Sequence, residues 1–309
     1  MPRKIAGGSI AHWALDAEEY IELVITGVNV GRYTYEGLSL SDVVQELEKI
    51  AGLDRIRISS IEPTTISDEL LERMAGPSKL CPYLHVPLQS GDDDILNAMN
   101  RRYTAREYSA CIEKVMRRVP GLGLGTDVMV GFPGESDGDF QRSLEFFSSL
   151  PLTYFHVFPY SVRTGTVAAS LADHVPSQTK KERARLMREL GTKKKREFYC
   201  RFVGERVSVL LEEAAGGAER VYRGHSRNYL SVLVRAGEGL VNREVGVAID
   251  GLGPGAVQRH RRALGDALHG GAHVAEAVAR HHLLDGGLEG AAGHLEQAPR
   301  LVVDLAHGD

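Results

Sequence analysis

The sequence predicts an α/β protein built as a partial parallel (β/α) barrel followed by a small antiparallel β-barrel. Three observations predict it. Five short apolar runs, over residues 23–26, 55–58, 84–88, 122–130 and 155–160, each end in glycine or polar residues. Amphipathic stretches with helical spacing separate them, the alternation that gives parallel strands joined by right-handed crossovers. From residue 202 the pattern changes to strands at hairpin spacing, as in a small antiparallel barrel. The predicted divisions are an atypical segment over 1–20, the barrel over 21–201, the small β domain over 202–252 and a tail over 253–309.

Residues 1–20 contain adjacent glycines, Gly7 and Gly8, and little periodicity, with a short helix predicted over 14–22. The chain begins abruptly, as a fragment or a misread start would. The first strand runs into Gly27-Val28-Asn29-Val30-Gly31, where bare backbone can approach a ligand closely. Ser39 or Ser41 caps a helix to about residue 51, with Leu40, Val43, Val44, Leu47 and Ile50 on one face. The second strand ends in Ser59, Ser60 and Glu62. Pro63 and a helix from near Ser67 follow, with Leu70, Leu71 and Met74 inward and Gly76-Pro77 as its stop. Cys81 reads as a plain small apolar residue in a connector.

Residues 84–102, LHVPLQSGDDDILNAMNRR, form the central stretch of strand, polar turn and helix. Parallel α/β proteins hold ligands at the carboxyl ends of their strands, so Gln89 and Ser90 are candidate contacts. Asp92, Asp93 and Asp94 suit the positive end of the following helix. Thr104 caps a helix to about residue 119 that carries Cys111, Ile112, Val115 and Met116 at helical spacing, and Pro120-Gly121 ends it. The strand over 122–130 has Asp127 in its middle, where a buried carboxylate needs a partner: a site residue and a structural hydrogen bond inside the barrel both fit. Gly131, Phe132, Pro133 and Gly134 then feed a helix to about residue 150, and the fifth strand ends in Ser161, Arg163 and Thr166.

A long helix is predicted from Pro176 to about residue 200. Between residues 180 and 201 it carries ten Lys or Arg against three Glu, a local +7 in a chain whose net charge is −4. This is either a solvated helix face or a surface that meets phosphates. In the small β domain, Arg227, Asn228 and Tyr229 combine charge, an amide and an aromatic face, as a reader of phosphates and unstacked bases does, the alternative being a hairpin with a polar turn. The tail has no aromatic residue and seven of the twelve histidines, His260, His269, His273, His281, His282, His294 and His307, at spacings that match no zinc motif. A shifted reading frame or an unrelated extension is expected there, with weak order or isolated helices.

The 309 residues are enough for one large domain plus a small one. With no apolar run of membrane-spanning length and no secretory leader, a cytoplasmic protein without a membrane partner is expected. Cys81, Cys111 and Cys200 are too widely spaced for a disulfide framework or a zinc ribbon, and no metal ligand set is predicted.

Taken together, TGVNVG, RISSIEP, LHVPLQSGDDDILNAMNRRYT, GTDVMVGFPGE and FHVFPYSVRTGT, in this order, resemble the radical S-adenosylmethionine methylthiotransferases that modify tRNA. The SSIEP form looks most like the branch acting on N6-threonylcarbamoyladenosine, and the match covers roughly residues 21–250. GHSRNYLSVLV resembles the RNA-binding TRAM domain. The resemblance implies S-adenosylmethionine and a 4Fe-4S cluster as cofactors, and the anticodon stem-loop of tRNA as partner of a monomer. The reaction it implies adds a methylthio group to C2 of the modified adenosine, although relatives act on another tRNA adenosine or on a ribosomal protein. By motif match, Gly27, Asn29, Ser60, Glu62, Gln89, Ser90, Asp127, Gly131, Phe132, Pro133 and Gly134 would surround S-adenosylmethionine. Lys193, Lys194, Lys195 and Arg196, with Arg227, Asn228 and Tyr229, would meet tRNA. No catalytic side chain is assigned. The family holds its cluster by C-x3-C-x2-C ahead of the TGVNVG strand, whereas this sequence has no cysteine before Cys81. The expectation is therefore an impaired enzyme or a non-catalytic RNA-binding remnant.

Overall fold

The structure, a computed structural model, describes residues 3–6, 20–27, 29–35, 37–214, 221–253, 257–259 and 300–304. Strand β1 (Arg3–Ala6) is followed by β2 (Glu22–Thr26), whose Leu23 and Ile25 are fully buried. The helix expected over 14–22 falls mostly outside the described residues, and its last residue, Glu22, is already strand. A two-residue hairpin that the sequence does not signal, β3 (Thr34–Tyr35) with β4 (Leu38–Ser39), leads into α1 (Leu40–Glu48). Ser39 is the cap: its hydroxyl accepts from the Asp42 amide at 3.3 Å while the Asp42 carboxylate accepts from the Ser39 amide at 2.7 Å. The helix stops short of residue 51 because Lys49 and Ile50 turn back in i→i+3 bonds to Glu46 and Leu47.

The next unit is β5 (Arg55–Ile58) and α2 (Asp68–Ala75), capped by Ser67 and burying Leu70, Leu71 and Met74. Strand β6 (Tyr83–His85) is shorter than the apolar run over 84–88, because after His85 only one bridge, Gln89 to Val128, continues the ladder. The side chain of Asp92 accepts from the amides of Asp94 and Ile95, both at 3.1 Å, and so caps α3 (Asp93–Ala98). Thr104 caps α4 (Ala105–Arg118), β7 (Gly123–Val130) follows, and Ser136 caps α5 (Asp137–Ser149). Strand β8 (Tyr154–Pro159) and the long helix α6 (Ser177–Cys200) close the barrel unit.

The remaining strands are β9 (Arg206–Ala214), β10 (Val221–Ser226), β11 (Ser231–Arg235), β12 (Arg243–Ala248), β13 (Gly251–Gly253), β14 (Val257–Arg259) and β15 (Arg300–Asp304). In the barrel half, β1-β15-β2-β5 and β6-β7-β8 are parallel sheets, joined by a parallel bridge from Ile56 to Leu80. Their carboxyl ends therefore share one rim. The other half is a six-stranded sheet of order β12-β9-β10-β11-β14-β13, antiparallel except between β11 and β14.

Of the tail, residues 253, 257–259 and 300–304 are described and are strand; elsewhere the expected weak order or isolated helices lie outside the described residues. The run RLVVD of β15 has the β-branched composition a strand favours, and it lies between β1 and β2. Helix α6 spans both halves. Its Ala184 and Met187 belong to the barrel core, while Phe198 and Tyr199 pack with Val209, Leu211, Val232 and Val234 of the second sheet. Among the described residues no helix is long and apolar enough to cross a membrane.

Candidate functional site: an open cup with a closed floor

Strand alternation assigns the inner face of the barrel. It carries Glu22 on β2, Arg55 and Arg57 on β5, Tyr83 and His85 on β6, Gly123, Gly125, Asp127 and Met129 on β7, and Tyr154, His156 and Phe158 on β8. Gly125 leaves room for the Tyr154 ring, and Gly123 for the Asn228 carbonyl; a Cβ at either position would collide with it.

That carbonyl belongs to the loop between β10 and β11, which closes the amino-terminal end of the barrel. Arg57 donates to the carboxylate of Glu22 at 2.9 Å, to the carbonyl of Arg227 at 2.9 Å and to that of Ser226 at 2.8 Å. Arg55 donates to the His225 carbonyl at 2.9 Å, Arg227 to the Ser78 carbonyl at 2.8 Å, and the Asn228 amide to the Gly121 carbonyl at 2.9 Å. The Tyr229 ring lies 4.6 Å from Tyr83 and 4.7 Å from His225, with the Arg57 guanidinium 4.9 Å from its centre. The composition of Arg227, Asn228 and Tyr229 points to an RNA surface. Here their polar groups and ring are engaged with the barrel, because main-chain carbonyls brought under a barrel need donors once water is excluded. A polar turn in sequence does not say which surface it covers.

Above the floor, His85 Nε2 lies 3.2 Å from Asp127 Oδ1, and His85 Nδ1 lies 3.3 Å from the Tyr154 hydroxyl, itself bonded to that of Tyr83. Asp127 thus has its partner in His85. The His156 ring stands 5.5 Å from His85 and 5.1 Å from Tyr154, and burial, then the neighbouring His85, holds it below the usual histidine range. The ligand atoms of His85, Asp127 and His156 all lie within 4.8 Å of one another, the one such group among the described residues. No sequence motif signals it, because the three side chains come from three strands. Only the pairing register, which sets Asp127 opposite His156, brings them together.

The rim holds the residues expected around S-adenosylmethionine, in varied states. Gln89 is held at φ 80, strained for a residue with a side chain; its backbone bonds Asp127 and Met129, and its amide makes no hydrogen bond among the described residues. Asn29, at φ 59, has its side-chain oxygen 3.4 Å from the Thr65 hydroxyl, Ser60 is half-buried, and Glu62 pairs with Arg101 at 3.1 Å. Ser90 is fully buried, and its hydroxyl accepts from the Asp92 amide at 3.2 Å, so it shapes the turn and does not face the cup.

In the loop over 131–134, the Gly131 amide donates to the Glu135 carboxylate at 2.6 Å, and that carboxylate pairs with Arg183 of α6 at 2.6 Å. Burial pushes Glu135 up while the Gly131 amide and Arg183 pull against it. Phe132 is buried with its ring 5.4 Å from Tyr160, Pro133 is buried, and Gly134, at φ 85, is open to solvent.

The basic run on α6 is split by its 100° per residue. Lys193 and Arg196 are exposed, whereas Lys194 turns to the last turn of α5 and donates to the carbonyls of Ser148 and Leu150. Lys195 points inward near the Tyr199 ring, 5.4 Å away, and burial pushes it down to about 8. Lys194 and Lys195 are both half-buried, unlike Lys193 and Arg196. Between about 8 and the ordinary lysine value of 10.5 the unfolded chain binds more protons than the folded one, so stability rises with pH across that window. Lys195→Met is accordingly expected to stabilise the protein by about 1–3 kcal/mol at neutral pH, with a gain that fades as pH climbs through the window. Thermal melts of both proteins across that range check it.

The thiols do not form a cluster site. Cys81 is buried in the connector before β6, Cys111 on α4 donates to the Pro63 carbonyl at 3.2 Å, and Cys200 is exposed at the end of α6. A 4Fe-4S cluster held by three converging thiolates does not fit this chain's own residues.

Residues 10–147 match the radical SAM superfamily. The tRNA-2-methylthio-N(6)-dimethylallyladenosine synthase of Acetivibrio thermocellus is 34% identical over 239 residues, 76% of this chain and 50% of that protein. The threonylcarbamoyladenosine tRNA methylthiotransferase MtaB of Aquifex aeolicus is 40% identical over 193 residues, 62% of this chain and 47% of that protein. Among solved structures, coproporphyrinogen III oxidase from Escherichia coli aligns at a TM-score of 0.45 and 14% identity, over 76% of this chain and 62% of that one. The chain spans about half the length of the curated relatives it matches.

Proposed function

The chain belongs to the radical S-adenosylmethionine tRNA methylthiotransferase family, and from that premise we propose that it supplies the S-adenosylmethionine-binding and tRNA-engaging part of such an enzyme. The substrate position is C2 of N6-threonylcarbamoyladenosine beside the anticodon, and the protein works in the cytoplasm on the anticodon stem-loop as a monomer. What carries the reading is the single rim shared by the parallel strand ends, with Gln89, Gly131 and Gly134 in the left-handed backbone region around it. The threonylcarbamoyl substrate is supported by the SSIEP form of the second motif.

S-adenosylmethionine fits the rim, because the Gln89 side-chain amide is unengaged there and nothing crowds the α-carbon of Gly134, whose N–H donates to the Asp173 carbonyl at 3.0 Å. When bound it supplies the methyl group; its reductive cleavage needs a cluster whose ligands these residues do not provide, and no radical step is assigned to them. Gly27, Asn29, Ser60, Glu62 and Gln89 line one side of the nucleoside and residues 131–134 the other. Asp127 acts from deeper in the cup through His85. The small β domain over 202–252 is TRAM-like, docked as the barrel's floor, and exposed Lys193 and Arg196 of α6 meet phosphates. A non-catalytic RNA-binding role is the second reading, favoured by the three scattered thiols.

Titration calorimetry of the full chain with S-adenosylmethionine, and gel retention of tRNA bearing threonylcarbamoyladenosine, test the proposal. Glu135→Gln, which removes the charge holding the Gly131 amide and Arg183 together, is expected to weaken S-adenosylmethionine about tenfold, some 1.4 kcal/mol. Retention of tRNA with no S-adenosylmethionine heat selects the second reading. Neither signal overturns both.

A further inference from the structure

We propose that His85, Asp127 and His156 form a binding site for one divalent transition-metal ion inside the barrel. The three side chains project from adjacent parallel strands onto the same inner face. Asp127 and His156 are paired across the β7–β8 ladder, and His85 pairs with Gly125, two residues before Asp127 on the same face. Their ligand atoms lie within 4.8 Å of one another, and two of them are already spaced as ligands are. His85 Nε2 and Asp127 Oδ1 stand 3.2 Å apart. Around a tetrahedral ion with bonds of about 2.0–2.1 Å, neighbouring ligand atoms are about 3.3 Å apart. Closing the remaining separation asks for a movement of at most about 1.5 Å, within reach of a rotation of the His156 ring.

The surroundings are those of a metal-ligating histidine. Such a ring usually engages its second nitrogen with an oxygen that fixes its orientation, and His85 Nδ1 faces the Tyr154 hydroxyl at 3.3 Å. Because that hydroxyl is bonded in turn to Tyr83, and both hydroxyls can rotate, the pair serves either imidazole tautomer. In one, Nε2–H donates to Asp127; in the other, Nδ1–H donates to Tyr154, and the Nε2 lone pair and the carboxylate face each other across a gap that a cation fills.

Donor chemistry sets the class of ion. Two imidazoles and a carboxylate suit Zn(II), Fe(II), Co(II) or Ni(II), whereas Mg(II) and Ca(II) favour sites made of oxygen alone. Three protein ligands leave at least one position open toward the mouth of the cup, where Phe158 is exposed. The site would therefore hold an exchangeable ligand or water at the metal, as open sites do and closed structural ones do not.

The test uses the full chain, stripped with a chelator and titrated with Co(II), then with Zn(II) in competition. One equivalent is expected, with the visible absorption of a low-coordinate Co(II) centre. His85→Ala and His156→Ala should each weaken binding at least tenfold. Asp127→Asn, which keeps the size of the side chain, should do the same while circular dichroism remains that of the parent. Because the tail is histidine-rich, the combined variant His273→Ala, His281→Ala and His282→Ala is measured in parallel and should bind with parental affinity. The proposal is overturned if no equivalent binds, if the barrel variants bind like the parent, or if affinity is lost with the tail histidines. No arm uses S-adenosylmethionine or tRNA, so its failure stays separate from failure of the functional proposal.

Discussion

Arg57→Met is expected to destabilise the folded chain by about 3–5 kcal/mol, the cost of breaking a buried ion pair by removing one partner. The side chain is 3% exposed and makes three hydrogen bonds of 2.8–2.9 Å, to Glu22 on one side and to the carbonyls of Ser226 and Arg227 on the other. Methionine fills the volume but returns none of the donors. Glu22, fully buried, then keeps only Arg55 of the two arginines, whose Nε lies 3.4 Å away. The Arg227 carbonyl at the floor loses this donor, the Ser226 carbonyl keeps only the Tyr229 amide, and the Tyr229 ring loses the guanidinium 4.9 Å from its centre. Arg57→Lys, which restores charge without the fork, should recover only part of the loss. Urea unfolding measures the stability, and limited proteolysis reports whether the second sheet undocks from the barrel. A loss under about 1 kcal/mol would mean that the floor is held by packing alone.

How far the sequence foretells this arrangement depends on whether the relevant forces are local. Thr104 caps its helix through a bond to the residue three positions on, so spacing alone locates that start. The inward faces of α1 and α2 follow from helical period for the same reason. Gln89 is legible as a rim residue because a glycine and three aspartates mark the turn after it. Strand pairing is different, since it joins residues distant in sequence through main-chain bonds that leave little side-chain trace. The metal-ligating trio and the position of β15 between β1 and β2 are hidden for that reason. The loop over 225–230 shows a further limit. Its charges and ring are those of an RNA reader, and only the buried arginines on β5 reveal that they serve the barrel. Lys194 and Lys195 repeat the lesson: four consecutive basic residues cannot all face one way on a helix.

Anaerobic reconstitution with iron and sulfide is expected to leave the full chain without a 4Fe-4S cluster, and the chain alone is expected to add no methylthio group to tRNA. Such a cluster takes thiolates that converge on one point, and Cys81, Cys111 and Cys200 lie apart on a connector, on α4 and at the end of α6. Two of them have a local reason to be where they are: Cys81 is fully buried and Cys111 is bonded to the Pro63 carbonyl. Iron and acid-labile sulfide must be assayed separately, because His85, Asp127 and His156 can take up iron without sulfide. The expected result is at most about one iron per chain and no stoichiometric sulfide, against about four of each for an assembled cluster. Replacing all three cysteines by serine should change neither value. Full occupancy in the parent, lost in that triple variant, would show that the thiols converge in a conformation unlike this one. If the expectation holds and S-adenosylmethionine still binds, the rim and the cluster are separable parts of the machine. Activity then depends on cluster ligands outside these residues, and adding a polypeptide that carries them is the step that should restore it.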